Sequence, residues 1–201
     1  MARRWLVLGI YAAAIYTTLP YGPTIGRGVL RSAAGSWLLG SGMGVLALAL
    51  GVAIVVQLRR RGAPAASYGA LALAAAGTML GLAWLRAQHQ ERVHLPEYAI
   101  ASWLAWRALD AHRVGRVRAY VGAALIAAAL GLGDELLQAI TPGRVYDLRD
   151  VAANALGGVL GTLLLVAIQG GERAGDECPA VHGAGLAVSP GEIDAARSGR
   201  G

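Results

Sequence analysis

Residues Trp37–Leu58 read WLLGSGMGVLALALGVAIVVQL, a run without a single Asp, Glu, Lys or Arg. As an α-helix rising about 1.5 Å per residue it reaches roughly 33 Å, enough to cross the hydrocarbon of one bilayer. The run stops abruptly at Arg59, Arg60 and Arg61. A charge-free stretch of this length, closed by a cationic cluster, is the pattern of a membrane span and its cytoplasmic anchor.

Two further stretches, Tyr68–Leu85 and Val151–Ile168, are also uncharged, each 18 residues long, near the minimum for a span. Hydrophobic residues make up 56% of the chain and charged residues only 15%, against roughly 25% charged in soluble domains. The chain therefore reads as an all-α, polytopic transmembrane helix bundle. About six spans are expected, near 5–19, 37–58, 67–86, 95–110, 119–140 and 150–169. The fourth is short and carries Glu97 and Arg107, with Pro96 suited to a first helical turn. The linker 20–36 holds Pro20, Gly22, Pro23, Gly26 and Gly28, which favour turns over continued helix. Residues 1–169 form one domain. From Gln169 the pattern turns to Gly, Glu, Asp, Pro and Arg without apolar periodicity, so 170–201 is expected to be a disordered cytoplasmic tail.

The start, Arg3-Arg4 followed by Trp5–Ile15 and Ala12-Ala13-Ala14, loosely fits a cleaved signal. A retained first helix with Trp5 and Tyr16 as interfacial anchors is the expectation, because the later segments are themselves membrane-embedded.

The net charge is +6 and all 18 basic residues are Arg. Many flank apolar blocks, where they orient a membrane protein and meet anionic lipid, so a nucleic-acid partner is not expected. With six spans and both ends on one side, that side receives Arg3, Arg4, Arg59–Arg61, Arg107, Arg113, Arg116 and Arg118. The other receives Arg27, Arg31, Arg86, Arg92, Arg144 and Arg149. The bias predicts cytoplasmic termini and puts the 87–94 and 140–149 loops outside. The one cysteine, Cys178, excludes an intramolecular disulfide and gives no metal cluster. No P-loop, dinucleotide fingerprint or G-x-S-x-G occurs. His89, His112 and His182 are expected to be solvated.

Against this background one block is anomalous. Gly133–Asn154 reads GDELLQAITPGRVYDLRDVAAN, with four carboxylates, two arginines, a Gln and an Asn between apolar runs. Ionisable groups at membrane depth are expensive and usually mark a polar cavity or a function. On a helix Gly131, Glu135 and Gln138 share one face, with Asp134 about 100° away and nearer the helix end. Thr141-Pro142-Gly143 stops that helix, and Asp147 can cap the next. Asp150 and Asn154 follow at i, i+4, and Asn154, Gly157, Gly158 and Gly161 continue roughly one stripe that lets another helix approach closely. The last two spans thus read as a tight hairpin with a polar top. Each residue alone has a bland reading: Asp147 as a cap, Arg144 pairing with Glu135 or Asp150, Asn154 bonding a neighbouring helix. Together they exceed what capping requires.

His94-x-x-Glu97 sets two polar groups on one helical face at the same expected membrane level, and Glu135, Asp147 or Asp150 are the groups that would complete a carboxylate-rich metal site. The spacing matches no metal motif, and neither a metal nor another cofactor is expected. The candidate polar site comprises His94, Glu97, Asp134, Glu135, Gln138, Arg144, Asp147, Asp150 and Asn154.

His94-Leu95-Pro96-Glu97-Tyr98, then Asp134-Glu135-x-x-Gln138, Pro142-Gly143-Arg144, Asp147-x-x-Asp150 and Asn154-x-x-Gly157 resemble the VanZ-like membrane proteins over about 89–168. Thr17-Thr18-Leu19-Pro20 adds a weaker likeness. Glu91-Arg92 stands where the family has an acidic-Lys pair, and Leu95 where it has an aromatic residue, so a role needing Lys chemistry does not carry over. The resemblance implies a bacterial cell-membrane protein and, through the family's namesake, a link to susceptibility to the glycopeptide teicoplanin.

The leading functional reading is a non-enzymatic multi-pass envelope protein. Its external polar site would bind a lipid head group, a lipid-linked cell-wall precursor or a lipophilic glycopeptide, with Arg144 and Arg149 suited to phosphate or carboxylate. Two alternatives remain. One is a membrane-embedded enzyme on a lipid-linked substrate, with Glu135 or Asp150 as general base and His94 as acid–base partner. The other is a small transporter with carboxylates as proton or cation sites.

Overall fold

The computed structural model describes residues 1–85, 91–142 and 146–176. Among them the chain is helical throughout and contains no strand. Eight α-helices follow in order: α1 Ala2–Thr18, α2 Gly22–Arg31, α3 Ala33–Trp37, α4 Met43–Arg60, α5 Ala65–Trp84, α6 His94–Asp110, α7 Arg116–Ile140 and α8 Leu148–Asp176.

Four stretches are long and apolar enough to cross a membrane: Met43–Arg60, Ala65–Trp84, Arg116–Ile140 and Leu148–Gly170. Helices α1 and α6 have 17 residues each and span about 26 Å, slightly less than the roughly 30 Å hydrocarbon core. They are short because charge and polarity close in on them, Arg3 and Arg4 in α1, Glu97, Arg107 and Asp110 in α6. The described helix α8 runs past Ile168 to Asp176. Residues 177–201, with Cys178 and His182, lie outside the described residues, as do His89 and Arg144.

The linker 20–36 departs from the turn-rich expectation. Leu19–Tyr21 is a 3₁₀ turn, then α2 and α3 are helical. Pro20 and Pro23 each sit at the start of their helical segment, where the missing N–H has no intrahelical partner to lose. The Ser32 side chain accepts from the Gly35 N–H at 3.0 Å and so caps α3. The breakers act as starters. The charge-free run after Trp37 opens with a π-helical turn, Leu38–Gly42, before α4 begins.

Helices α6, α7 and α8 pack on one another to form the centre. Helix α5 lies on α8, α1 lies on α6 and α7, and α4 rests mainly on α5 at the periphery. The central seams are lined by small residues: Ala101, Ala105 and Ala108 on α6, Ala119, Ala123 and Ala127 on α7, and Ala153 on α8, all buried. Lipid tails are as apolar as Leu, so association in a bilayer draws on close packing and interhelical hydrogen bonds, which small residues permit.

Gly157, Gly158 and Gly161 of α8 serve two neighbours, where the sequence pattern had put them on one stripe. A Cβ at Gly157 would sit 2.7 Å from the Leu95 carbonyl oxygen, and one at Gly161 2.6 Å from Ala99 Cα, both on α6. A Cβ at Gly158 would sit 2.8 Å from Ala127 on α7. The pairs 157/161 and 154/158 are each one turn apart, so they face α6 and α7 respectively. The polar hairpin of α7 and α8 is thus the side of a three-helix core.

Hydrogen bonds fasten the same seams. The Ser102 and Thr162 hydroxyls meet at 2.8 Å between α6 and α8, and Thr162 donates to the Gly158 carbonyl at 3.0 Å. Tyr11 donates to the Glu97 carbonyl and Tyr16 to the Leu130 carbonyl, each at 2.9 Å, pinning α1 to α6 and α7. At the other end of α1 the Trp5 indole N–H donates to His112 Nε2 at 2.8 Å, so the exposed His112 has a protein partner.

Candidate functional site

The buried face of α7 changes character along its length. Ala119, Ala123, Ala127 and Gly131 recur every fourth residue, and the face then continues into Asp134, Glu135 and Gln138. All three polar side chains are essentially inaccessible, at 0%, 0% and 1% exposure. A 25-residue helix has room for this only because its first half makes the close contacts and its last turns face polar groups on α6 and α8.

Each carboxylate has its own setting. Tyr98 of α6 donates its hydroxyl to Asp134 Oδ2 at 3.0 Å. Gln138 Nε2 donates to Glu135 Oε1 at 3.0 Å, and the Asp147 backbone N–H donates to Glu135 Oε2 at 3.3 Å. Glu135 therefore ties the end of α7 to the segment that enters α8. Asp134 points to α6 from within α7, more than one turn before its end at Ile140. Asp147 caps α8, its Oδ1 accepting from the Arg149 N–H at 2.8 Å, as the position ahead of a helix favours.

From α8, Asp150 and Asn154 are buried beside these groups. Asn154 Nδ2 donates to the Gly131 carbonyl at 3.1 Å. A side chain at Gly131 would collide with Asn154 Cβ, so the glycine is what admits the amide. From α6, His94 Nδ1 lies 3.3 Å from Glu97 Oε2, its ring centroid is 6.3 Å from that of Tyr98, and it is within electrostatic reach of Asp150 and Asp134. Residues forty apart in sequence meet at one end of the core.

Of the nine residues named from sequence, His94, Glu97, Asp134, Glu135, Gln138, Asp147, Asp150 and Asn154 occupy this end; Arg144 lies outside the described residues. Three further residues were not among those nine. Tyr98 is fully buried and bonds Asp134; its place one turn after His94 was the available signal. Arg92 is buried, with Nε donating to the Leu85 carbonyl at 3.3 Å; a charge beside an apolar run was its signal. Tyr16 reaches in from α1, its hydroxyl donating to the Leu130 carbonyl beside Gly133; the sequence marked it only as an interfacial anchor.

Asp134 Oδ1 and Asn154 Oδ1 are buried oxygens that reach no hydrogen bond among the described residues. A buried acceptor without a donor costs about 1–3 kcal/mol, so the cluster is chemically complementary to a group bearing O–H or N–H. Among the described residues no three of His, Cys, Asp and Glu gather as a metal-holding group, and the carboxylate-rich metal site drawn from spacing is not assembled there.

A bundle of membrane-length helices whose central trio buries carboxylates and amides at one end defines the chain as a helical membrane protein with a polar site. It belongs to the VanZ/LLP1 family, whose family model matches residues 45–169. The match takes in α4 and α5 as well as the motif-bearing α6 to α8. No curated protein and no solved structure matches the chain.

Proposed function

We propose that this VanZ-type membrane protein binds the polar head group of an envelope lipid or lipid-linked cell-wall precursor at the α6–α7–α8 polar end. The observation that carries the reading is the pair of buried, unsatisfied oxygens on Asp134 and Asn154. They sit beside Glu135 and Asp150 in a chain whose helices are otherwise built for lipid. A head group with hydroxyl or amine donors matches those acceptors, and Arg149, exposed at the first turn of α8, is positioned by sequence to meet a phosphate at the rim. Guanidinium binds such oxygens as a planar fork. Arg144 joins it in this reading. The activity is recognition without turnover, and in a bacterial plasma membrane it would alter how a lipophilic glycopeptide such as teicoplanin engages the surface.

Lipid analysis of the purified protein tests the ligand. Wild type retains a defined head-group class, and Asp134→Asn loses most of it at unchanged protein level. In that variant one amide oxygen still accepts from Tyr98, while the open Oδ1 position becomes an N–H donor that repels the ligand's donors. Equal retention by both proteins would refute the site.

The same proposal takes α1 and α6 as spans beside the four longer helices, giving six crossings with cytoplasmic termini and the polar end outside. Arg59–Arg61 close α4 at the end away from the site, and Arg density marks the cytoplasmic side. Reporter fusions after Arg61 and Val114 should report cytoplasm, and a fusion near Arg144 the exterior. The reverse pattern overturns the orientation.

A further inference from the structure

The opposite end of the core holds a second feature. Between the end of α6 and the start of α7 lies a cavity of about 300 Å³ lined by Trp106, Asp110, Arg113, Arg116, Tyr120 and Gln169, with loop backbone between them. The loop is shaped to make it. Arg113 adopts φ 53° and Gly115 φ 86°, turning the chain sharply from α6 into α7. Positive φ is uncommon outside glycine and costs strain. Trp106 and Tyr120 stack with centroids 6.5 Å apart and planes 17° from parallel, giving the cavity one apolar wall.

The electrostatics favour an anion. Asp110 is the one acidic residue in the lining, against two arginines, Arg113 and Arg116. Asp110 also has a counter-charge of its own, Arg4 Nη1 at 4.0 Å from its Oδ2. Arg4 is held there by donating to the Arg107 carbonyl at 2.8 Å. The first turn of α7 contains no acidic residue, and its N-cap is Gly115, without a side chain, so nothing from the helix itself offsets the positive lining. The size lies at the small end of ligand pockets, suited to one phosphate-bearing group.

The surroundings favour a lipid as its carrier. Beside Arg116 begins an apolar stripe on α7, Val117, Val121 and Leu125, exposed by 74%, 54% and 65%. These residues recur one turn apart and form a lipid-facing track on α7, turned away from the face on which Ala119 and Tyr120 line the cavity. An aromatic pair at the mouth is also typical of the head-group level of a bilayer.

We infer that this cavity binds the anionic phosphate head group of a membrane phospholipid, with Arg113 and Arg116 on the phosphate and the Trp106–Tyr120 pair at the level of the lipid head groups. The site lies at the far end of α6 and α7 from the polar cluster and does not depend on the ligand of that cluster.

The test measures the thermal unfolding midpoint of the full-length protein in neutral detergent, titrated with short-chain phosphatidylglycerol, short-chain phosphatidylcholine or inorganic phosphate. Phosphatidylglycerol raises the midpoint saturably, and the other two do not at matched concentration. Replacing one charged hydrogen-bonding partner weakens binding by about tenfold or more, so Arg116→Gln and Arg113→Asn each shift the titration by at least that factor. Asn tolerates positive φ, so Arg113→Asn keeps the loop and separates loss of charge from loss of fold; its midpoint without lipid reports the latter. An Arg59→Gln/Arg60→Gln double variant, at the same end but outside the cavity, titrates like wild type. The inference is overturned by an unchanged titration in both cavity variants, by an equal loss in the Arg59/Arg60 variant, or by an equal response to phosphatidylcholine. Inorganic phosphate matching phosphatidylglycerol overturns the lipid as the source.

Discussion

Gly161→Val should lower the amount of folded protein in the membrane several-fold or more, while Gly51→Ala leaves its level unchanged. At Gly161 an added Cβ would meet Ala99 at 2.6 Å from both Cα and the carbonyl oxygen. These are backbone atoms of α6 and cannot swing aside as a side-chain tip can. Relief requires α6 and α8 to separate along their most extensive seam, which also carries the Ser102–Thr162 hydrogen bond. Overpacking of a core typically costs about 1–3 kcal/mol and occasionally more; a clash against main chain belongs at the upper end, near 3 kcal/mol, or roughly a hundredfold in the folding equilibrium. Gly51 lies on α4, where a Cβ would have nothing within 4 Å, and alanine there even favours the helix. The amount of monodisperse protein after detergent extraction reads both. A well-folded Gly161→Val protein would show that α6 and α8 do not approach as closely as described.

The second large effect separates charge from hydrogen bonding at Glu135. Glu135→Leu deletes both acceptors, so the Gln138 amide and the Asp147 N–H each lose one hydrogen bond. Removing an acceptor from a buried donor costs about 1–3 kcal/mol, so a loss of about 2 kcal/mol is expected, seen as a drop in unfolding midpoint and in protein level. Glu135→Gln is nearly isosteric. Its amide oxygen can accept from Asp147 and its NH₂ can donate to Gln138 once that side chain turns its own amide over, so stability stays within about 1 kcal/mol. Head-group retention nonetheless falls in Glu135→Gln if the carboxylate serves a ligand. Should Glu135→Gln retain lipid like wild type, the charge has no binding role and Glu135 is a staple between α7 and α8.

Asn154 shows how far a helical period carries on its own. The i, i+4 spacing of Asp150 and Asn154 and the glycines after them are legible in the chain, and so is the likelihood of close helix approach. Which helix approaches is not. Asn154 bonds α7 at Gly131 while Gly157 and Gly161 receive α6, because a period places residues on a face but carries no information about the neighbour that covers it. Tyr98 and Tyr16 are hidden for the same reason: each finds its partner more than thirty residues away.

Local chemistry was the better guide where the partner is local. Asp147 ahead of α8 is a cap in the sequence and in the structure, since its acceptor needs only backbone N–H groups two residues on. The His94–Glu97 contact likewise lies within one helical turn. Breaker residues misled at 20–36, where Pro and Gly read as turns and the chain forms α2 and α3; a proline ends one helix or opens the next depending on which side the neighbours continue. The sequence by itself therefore determined an all-helical membrane protein of VanZ type with a charged block beside hydrocarbon, because hydropathy, helical period and capping act over a few residues. Only the tertiary structure decided that α6, α7 and α8 form the centre, that Gly131 opens room for Asn154, and that Tyr98 bonds Asp134. Those outcomes depend on side chains fitting across separate helices, and close packing between them is the force that a bilayer leaves to choose partners.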